Sequence, residues 1–218
     1  MAKTRTPIIV VDGGEGSGTT TMSTKLTESL RAQNVPVVHT REPGGTNAPF
    51  AETIRELILS SAAKAASAET MFGLFWASRH EHLLRTILPA LQAGRAVIID
   101  RFDSSTYAYQ VMAQECPGLE KLFWDTRKLY LGEVEALVHY VVLDVDPKIG
   151  VARAKQRGGI PTHFDERKLD FHRRVREGYK AFLNKNRAPS WVVDASKPEH
   201  EVFGECLGIV RGIIQGKL

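Results

Sequence analysis

Five short apolar runs, rich in β-branched residues, punctuate the chain: Ile8 to Asp12, Val35 to Thr40, Ala96 to Asp100, Val138 to Val145 and Trp191 to Asp194. Runs that stay apolar without alternating predict parallel strands covered on both faces. Between them, apolar positions recur at helical spacing over Thr20 to Gln33, Ala51 to Ser60, Ser67 to Ala93, Ser105 to Ala113, Leu119 to Ala136, Pro147 to Arg157, Glu166 to Asn186 and Glu199 to Gln215. This alternation predicts right-handed crossovers and an α/β fold, a five-stranded parallel sheet flanked by helices, with ligands beyond the carboxyl ends of the strands. The small Ala/Ser/Lys stretch from Ser60 to Ala68 reads as a loop or a helix end, and no linker divides the chain, so residues 1–218 are taken as one domain.

Composition narrows the class. With 218 residues, 43% hydrophobic and 25% charged, the chain has the make-up of a soluble globular protein with one substantial core. Its formal charge of +4 suits a polyanionic ligand, but only weakly. No RNA- or DNA-binding signature accompanies that charge, so a nucleic-acid partner is not expected. Cys116 and Cys206 stand alone in sequence, which argues against a disulfide framework or a zinc site. The first residues lack an apolar signal core and no run approaches a membrane span, so the expectation is a cytoplasmic protein without membrane contact.

The chemistry starts where the first strand ends. Gly13 to Thr21 reads G-G-E-G-S-G-T-T-T straight after Pro7-Ile-Ile-Val-Val-Asp12. A strand that ends in Gly13-x-x-x-x-Gly18 and opens a helix aims backbone N–H groups and the positive helix end at a volume suited to phosphate. This is a P-loop in all but its lysine: Thr19 holds that place, while Thr20 keeps the hydroxyl that serves Mg²⁺. A Gly-rich turn that binds nothing is the plain alternative. The second cluster, Arg41-Glu42-Pro43-Gly44-Gly45-Thr46, follows the second strand; there Arg41 and the later Arg55 offer planar donor forks to a phosphate, or else sit on an ordinary solvated turn. The third, Asp100-Arg101-Phe102, ends the third strand, where a carboxylate can support Mg²⁺ and an adjacent arginine can bind the phosphate that is attacked; a helix cap or a salt-bridge partner is the simpler role. Two phosphate-directed clusters at strand ends beside a P-loop point to a phosphoryl donor and a phosphoryl acceptor.

Taken together, Arg41-Glu-Pro-Gly-Gly-Thr46, Phe75-Trp-Ala-Ser-Arg79, Asp100-Arg-Phe102, Ser105-Thr-Tyr-Ala-Tyr-Gln110 and Leu143-Asp-Val-Asp-Pro147, in this order behind a P-loop containing Glu15, resemble the thymidylate kinase family over nearly the whole chain. The resemblance implies transfer of the ATP γ-phosphoryl group to dTMP with Mg²⁺, in a homodimer with a core, a monophosphate site and a short lid. It divides the chain into a P-loop at 13–21, acceptor segments at 41–55, 72–82 and 100–110, and a lid at about 153–167. The P-loop positions that would hold ATP phosphates are Gly13, Gly14, Gly16, Ser17, Gly18, Thr19, Thr20 and Thr21, with Thr20 and Asp100 at the metal. Phe75 matches the aromatic that stacks on thymine and Arg79 the arginine that bonds its carbonyl; four residues apart, they share a helix face. Thr106 and Gln110 match positions that read the base, Arg41, Arg55 and Arg101 those that hold the acceptor phosphate, and Glu42 and Pro43 those that shape its pocket. Glu15 resembles a carboxylate near the sugar 3′-hydroxyl, and Arg153, Arg157 and His163 fall on the lid, making Glu15, Arg101, Arg153, Arg157 and His163 the catalytic set.

The chain departs from the family pattern at Thr19, at His163 where the lid carries an arginine, and at Ser78 where an Asp precedes the Arg. Residues 111–116 lack a Gly-rich continuation, and two residues are added between Gly45 and Arg55. Three functions follow: a dTMP kinase with an altered donor site, a kinase retuned to dUMP or a base-modified pyrimidine deoxynucleotide, and a catalytically weak nucleotide-binding or regulatory protein. A DNA-partitioning type of P-loop ATPase would leave Phe75, Arg79 and the 41–46 turn unexplained.

Overall fold

The computed structural model describes residues 6–158 and 167–218. Strands β1 (Ile8–Gly13), β2 (Val37–Arg41), β3 (Ala96–Asp100), β4 (Val138–Asp144) and β5 (Ser190–Asp194) form one parallel sheet in the order β2-β3-β1-β4-β5. All the neighbouring pairs are parallel, so every strand delivers its carboxyl end to the same edge. The P-loop strand therefore lies centrally, with the third motif cluster one strand away at the end of β3 and the second cluster two strands away at the end of β2, on the same side.

Period-two alternation splits the apolar run of β1 between two cores. Ile8 and Val10 point into a cluster with Phe123, Tyr140 and Phe182, while Ile9 and Val11 join Leu26, Val141 and Val210 on the opposite face. Helices α1 (Thr19–Ala32) and α9 (Glu199–Ile214) cover the second face; α6 (Gly118–Leu131) and α8 (Leu169–Lys185) cover the first. Burial on both faces holds for β1 and β3 but not throughout: β5 is an edge strand of the sheet, and its Val192 is 57% exposed.

Helix starts follow their local chemistry. Pro49 opens α2 (Pro49–Leu59), Ser67 caps α3 (Ala68–His82) by accepting from Thr70 N, and Asp146 with Pro147 starts α7 (Pro147–Arg157). The helix expected from Ser67 to Ala93 is interrupted: α3 passes into a π turn at Leu83–Ile87 and resumes as α4 (Leu88–Gln92). Pro89 lacks the N–H that would continue the ladder, and the wider turn falls directly before it. The 105–113 segment likewise becomes α5 (Asp103–Thr106) followed by a π turn at Tyr107–Ala113. The segment expected to run to Ala136 stops at Leu131, a 3₁₀ turn forms at Ser61–Ala65, and the expected start of α8 at Glu166 lies outside the described residues.

One glycine contact fixes the donor loop. A Cβ on Gly16 would lie 1.9 Å from the Gly150 carbonyl oxygen, and one on Gly150 would lie 2.2 Å from the Glu15 carbonyl oxygen. The loop and the first turn of α7 thus meet backbone against backbone.

His39 on β2 and His139 on β4 both have pKa values lowered from 6.5, chiefly by burial. A lowered folded-state value penalises the charged ring, so this contribution is complete above the unfolded value and is lost as pH falls through the folded one. Denaturant midpoints measured at about pH 7.5 and about pH 5 should therefore fall in acid, and a His39→Gln/His139→Gln double variant should show a smaller fall. An undiminished fall would assign the acid sensitivity to other groups.

Candidate active site

The carboxyl edge of the sheet opens into a cleft of about 460 Å³, lined on one side by Glu15 to Thr21 and on the other by Arg41, Glu42, Pro43, Arg55, Phe75, Arg79 and Gln110. Asp100 and Arg101, from the end of β3, stand between the two walls.

On the donor wall, Ser17 Oγ donates to Gly14 O at 2.8 Å and closes the loop. Thr20 Oγ1 donates to Asp100 Oδ2 at 2.5 Å, joining α1 to the end of β3. The other oxygen of Asp100 is buried without a hydrogen-bond partner among the described residues. A hydroxyl and a carboxylate side by side, one oxygen still unsatisfied, form a hard-oxygen donor set of the kind Mg²⁺ prefers. Thr19 lines the cleft beside them, only 5% exposed, with a short neutral side chain where the motif places an ammonium.

Behind this wall lies Asp12, fully buried at the end of β1. Its Oδ1 accepts from Gly13 N at 2.9 Å, Ser105 Oγ at 2.7 Å and Tyr179 Oη at 2.6 Å. Its Oδ2 accepts from Ser104 Oγ at 2.6 Å and Phe102 N at 3.2 Å. One carboxylate thereby ties together the P-loop, the 100–106 segment and α8. Arg101 sits against this cluster with Nη1 donating to Gly13 O at 2.8 Å, its backbone in the left-handed region at φ 66°. A non-glycine residue held there is strained and needs surroundings that fix it. Burial works against the Arg101 charge, but Tyr109, Tyr179, Glu15 and Asp12 outweigh it and hold its pKa well above the ordinary arginine value. Burial also pushes the Tyr109 hydroxyl up to about 12, so it stays protonated near neutrality.

The acceptor wall is built on the 41–46 turn, whose Glu42–Pro43 peptide is cis. Glu52 of α2 holds the turn, accepting from Gly45 N at 2.7 Å and from Arg41 at 2.8 Å, and Arg55 donates to Pro43 O at 2.7 Å. Burial, then the neighbouring Arg41, lowers the Arg55 pKa from its ordinary value. Deeper in, Arg79 is 1% exposed; its Nε donates to Glu42 Oε2 at 2.9 Å and its Nη2 to Thr106 Oγ1 at 2.9 Å. Its guanidinium lies 4.5 Å from the Trp76 ring centre and 5.3 Å from that of Phe102. Arg79 Nη1 and both amide atoms of Gln110 are buried without hydrogen-bond partners among the described residues. Unsatisfied buried polar groups that border a cleft are candidates for meeting a ligand.

Most of the residues singled out from the sequence thus converge on one cleft. Gly13 and Gly14 do not line it; their carbonyl oxygens accept from Arg101 Nη1 and Ser17 Oγ. Thr106 does not line it either, and its hydroxyl holds Arg79 instead. Arg153 points elsewhere, donating to Ala195 O at 2.7 Å beyond β5. Arg157 ends α7, and His163 with most of the proposed lid lies outside the described residues. Ser78 is fully buried, accepts from Gly44 N at 3.0 Å and donates to Ala51 O at 3.3 Å, so it braces the turn rather than facing the cleft. Asp12, Ser105, Tyr179 and His82 were not identified from sequence as site residues. The one signal for Asp12 was a lone carboxylate closing an apolar strand just before the glycines.

A parallel sheet with a phosphate loop on its central strand, a hydroxyl–carboxylate pair behind that loop and an arginine-lined pocket opposite defines the P-loop nucleoside monophosphate kinase class. Comparison with known proteins agrees. The sequence pattern of the family described as thymidylate kinase matches residues 11–205. The thymidylate kinase of Geobacillus thermodenitrificans (strain NG80-2) is 39% identical over 207 residues, 94% of this chain and 89% of that one. That of Onion yellows phytoplasma (strain OY-M) is 40% identical over 198 residues, 89% of this chain and 92% of that one. The crystal structure of thymidylate kinase from Ehrlichia chaffeensis superposes with a TM-score of 0.74 at 28% identity, covering 94% of this chain and 98% of that one. The chain belongs to the thymidylate kinase family. No helix among its described residues is long and apolar enough to cross a membrane.

Replacing Asp12 with Asn keeps the shape but turns one accepting oxygen into a donor facing donors. Asp12→Asn is expected to lower the unfolding free energy by about 2–4 kcal/mol, read from denaturant titration. A loss within about 0.5 kcal/mol, the range of ordinary surface changes, would mean that the cluster does not depend on this carboxylate.

Proposed function

We propose that the chain transfers the γ-phosphoryl group of ATP to dTMP, giving dTDP and ADP, with a donor site altered at Thr19. The observation that carries the reading is the unsatisfied pair at the far wall, Arg79 Nη1 and the Gln110 amide, in the same cleft as the phosphate loop. An amide that both donates and accepts, beside a guanidinium that donates, complements the N3–H and carbonyl edge of thymine or uracil. Phe75, on the same helix as Arg79, supplies an aromatic face for the base.

In this reading the acceptor phosphate lies among Arg41, Arg55 and Arg101, and one of its oxygens attacks the γ-phosphorus as the bond to the ADP oxygen breaks. The chain's work is positioning and charge compensation, the main contributions to phosphoryl transfer. Arg101 lies between the walls and supplies a fixed cation where charge accumulates. Glu15, at the rim of the loop, faces the sugar. Thr20 and Asp100 would hold Mg²⁺, whose charge would offset that of the donor phosphates.

The missing lysine favours a second reading, a nucleotide-binding protein of low turnover. Among the described residues, the cations lining the cleft are Arg41, Arg55, Arg79 and Arg101, and three of these, Arg41, Arg79 and Arg101, are paired with carboxylates. Arg153, Arg157 and His163 remain proposed lid cations, although Arg153 is engaged at Ala195 in the form described. The bracing role of Ser78 gives no support to a retuned acceptor pocket, so dTMP is the acceptor we put first.

Release of ADP should be measured with ATP, Mg²⁺ and each of dTMP, dUMP and dCMP. The expected result is turnover with dTMP ranked first, and a gain of roughly tenfold or more in kcat/KM for ATP on Thr19→Lys, as a preorganised charge is restored. Binding of dTMP without turnover by the natural chain would establish the second reading, and dUMP ranked first would establish the retuned one. A homodimer is also part of the proposal, through the segment from α3 to α4, where Leu84 in the intervening π turn is 43% exposed. Light scattering should therefore return twice the 24.2 kDa chain mass, and a monomer at micromolar concentration would dispose of the dimer.

A further inference from the structure

Arg79 is held by a carboxylate that is itself held. Glu42 gives Oε2 to Arg79, which leaves Oε1 to be satisfied where Glu42, Arg79 and His82 are all buried. The partner of Oε1 is His82 Nδ1, at 3.0 Å. Across the ring, His82 Nε2 lies 2.8 Å from Thr40 Oγ1, which already accepts the Thr46 backbone N–H at 3.1 Å. The Thr40 hydroxyl has one proton to give, and Nε2 is the acceptor in reach. The network therefore assigns the imidazole proton to Nδ1, donating to Glu42, with Nε2 accepting from Thr40. The turn is moulded to the ring as well, since a Cβ on Gly45 would lie 2.2 Å from His82 Cδ2.

These bonds form one line: Thr46, Thr40, His82, Glu42, Arg79. It begins on the acceptor turn and ends at Arg79 Nη1, which is buried without a partner among the described residues. We propose that His82 is a positioning residue for acceptor recognition. Through Glu42 it sets the direction in which Arg79 presents Nη1, and through Thr40 it locks that direction to the turn carrying Pro43 and Gly45. The inference rests on reading the cleft as the site of a pyrimidine deoxynucleoside monophosphate. A histidine that only filled space would be replaced at similar loss by any side chain of its size. One that supplies a proton at Nδ1 is replaced well only by a residue that does the same.

The test compares wild type with His82→Ala, His82→Gln and His82→Asn, each checked by thermal unfolding, in dTMP titrations at saturating ATP and the converse. The Asn amide reaches the place of Nδ1, and the Gln amide that of Nε2. His82→Ala and His82→Gln should raise KM for dTMP roughly tenfold or more, leave KM for ATP within about twofold, and spare kcat, while His82→Asn recovers most of the loss. Where His82→Ala fails to fold, Thr40→Val keeps the ring and removes its hydroxyl partner, and should raise KM for dTMP in the same selective way. An unchanged KM for dTMP in His82→Ala or Thr40→Val, or a His82→Asn no better than His82→Gln, overturns the role while leaving the function intact. A wild-type chain that neither binds nor phosphorylates dTMP overturns the reading of the cleft, and this role with it.

Discussion

A buried carboxylate in an apolar strand end must find donors or be costly, and Asp12 finds them on three separate parts of the chain. Gly13 N belongs to the phosphate loop, Phe102 N and the Ser104 and Ser105 hydroxyls to the segment after β3, and the Tyr179 hydroxyl to α8. Satisfying this one group fixes where the loop, the Arg101 guanidinium and α8 stand relative to one another. The left-handed backbone of Arg101 is tolerable for the same reason, since the residue immediately after it is anchored through its N–H.

A second buried carboxylate organises the opposite wall. Glu42 collects Arg79 and His82 as Asp12 collects its hydroxyls, so the cleft lies between two polar centres of the same design. They are joined through one short stretch after β3, where Ser104 and Ser105 reach Asp12 and Thr106 reaches Arg79. Consecutive residues there serve opposite walls, so the spacing between donor and acceptor sides is set by a single helical turn rather than by a loop.

The central sheet was legible because apolar runs without alternation have one economical explanation, burial between two helical layers. The edges were not: β5 reads as apolar as β1, and only its place in the sheet exposes Val192. Within the site, local motifs carried most of the lining residues, because glycine spacing and arginines beside strand ends are short-range signals. Asp12, Tyr179 and His82 escaped because their meaning lies in partners far along the chain; Tyr179 is 167 residues from the carboxylate it serves. Ser78 shows the limit of reading a single residue type. From sequence it stood only as a departure from the family pattern; in the fold its hydroxyl is spent on two backbone groups behind the wall.

The contact between Gly16 and Gly150 bears on how this chain tolerates its unusual loop. Where main chain meets main chain with no space for a Cβ, the path of the loop is dictated by what cannot be added rather than by which side chains are present. The close approach involves only the backbone of residues 15, 16 and 150, so this part of the cradle takes its curvature without any contribution from the side chain at position 19.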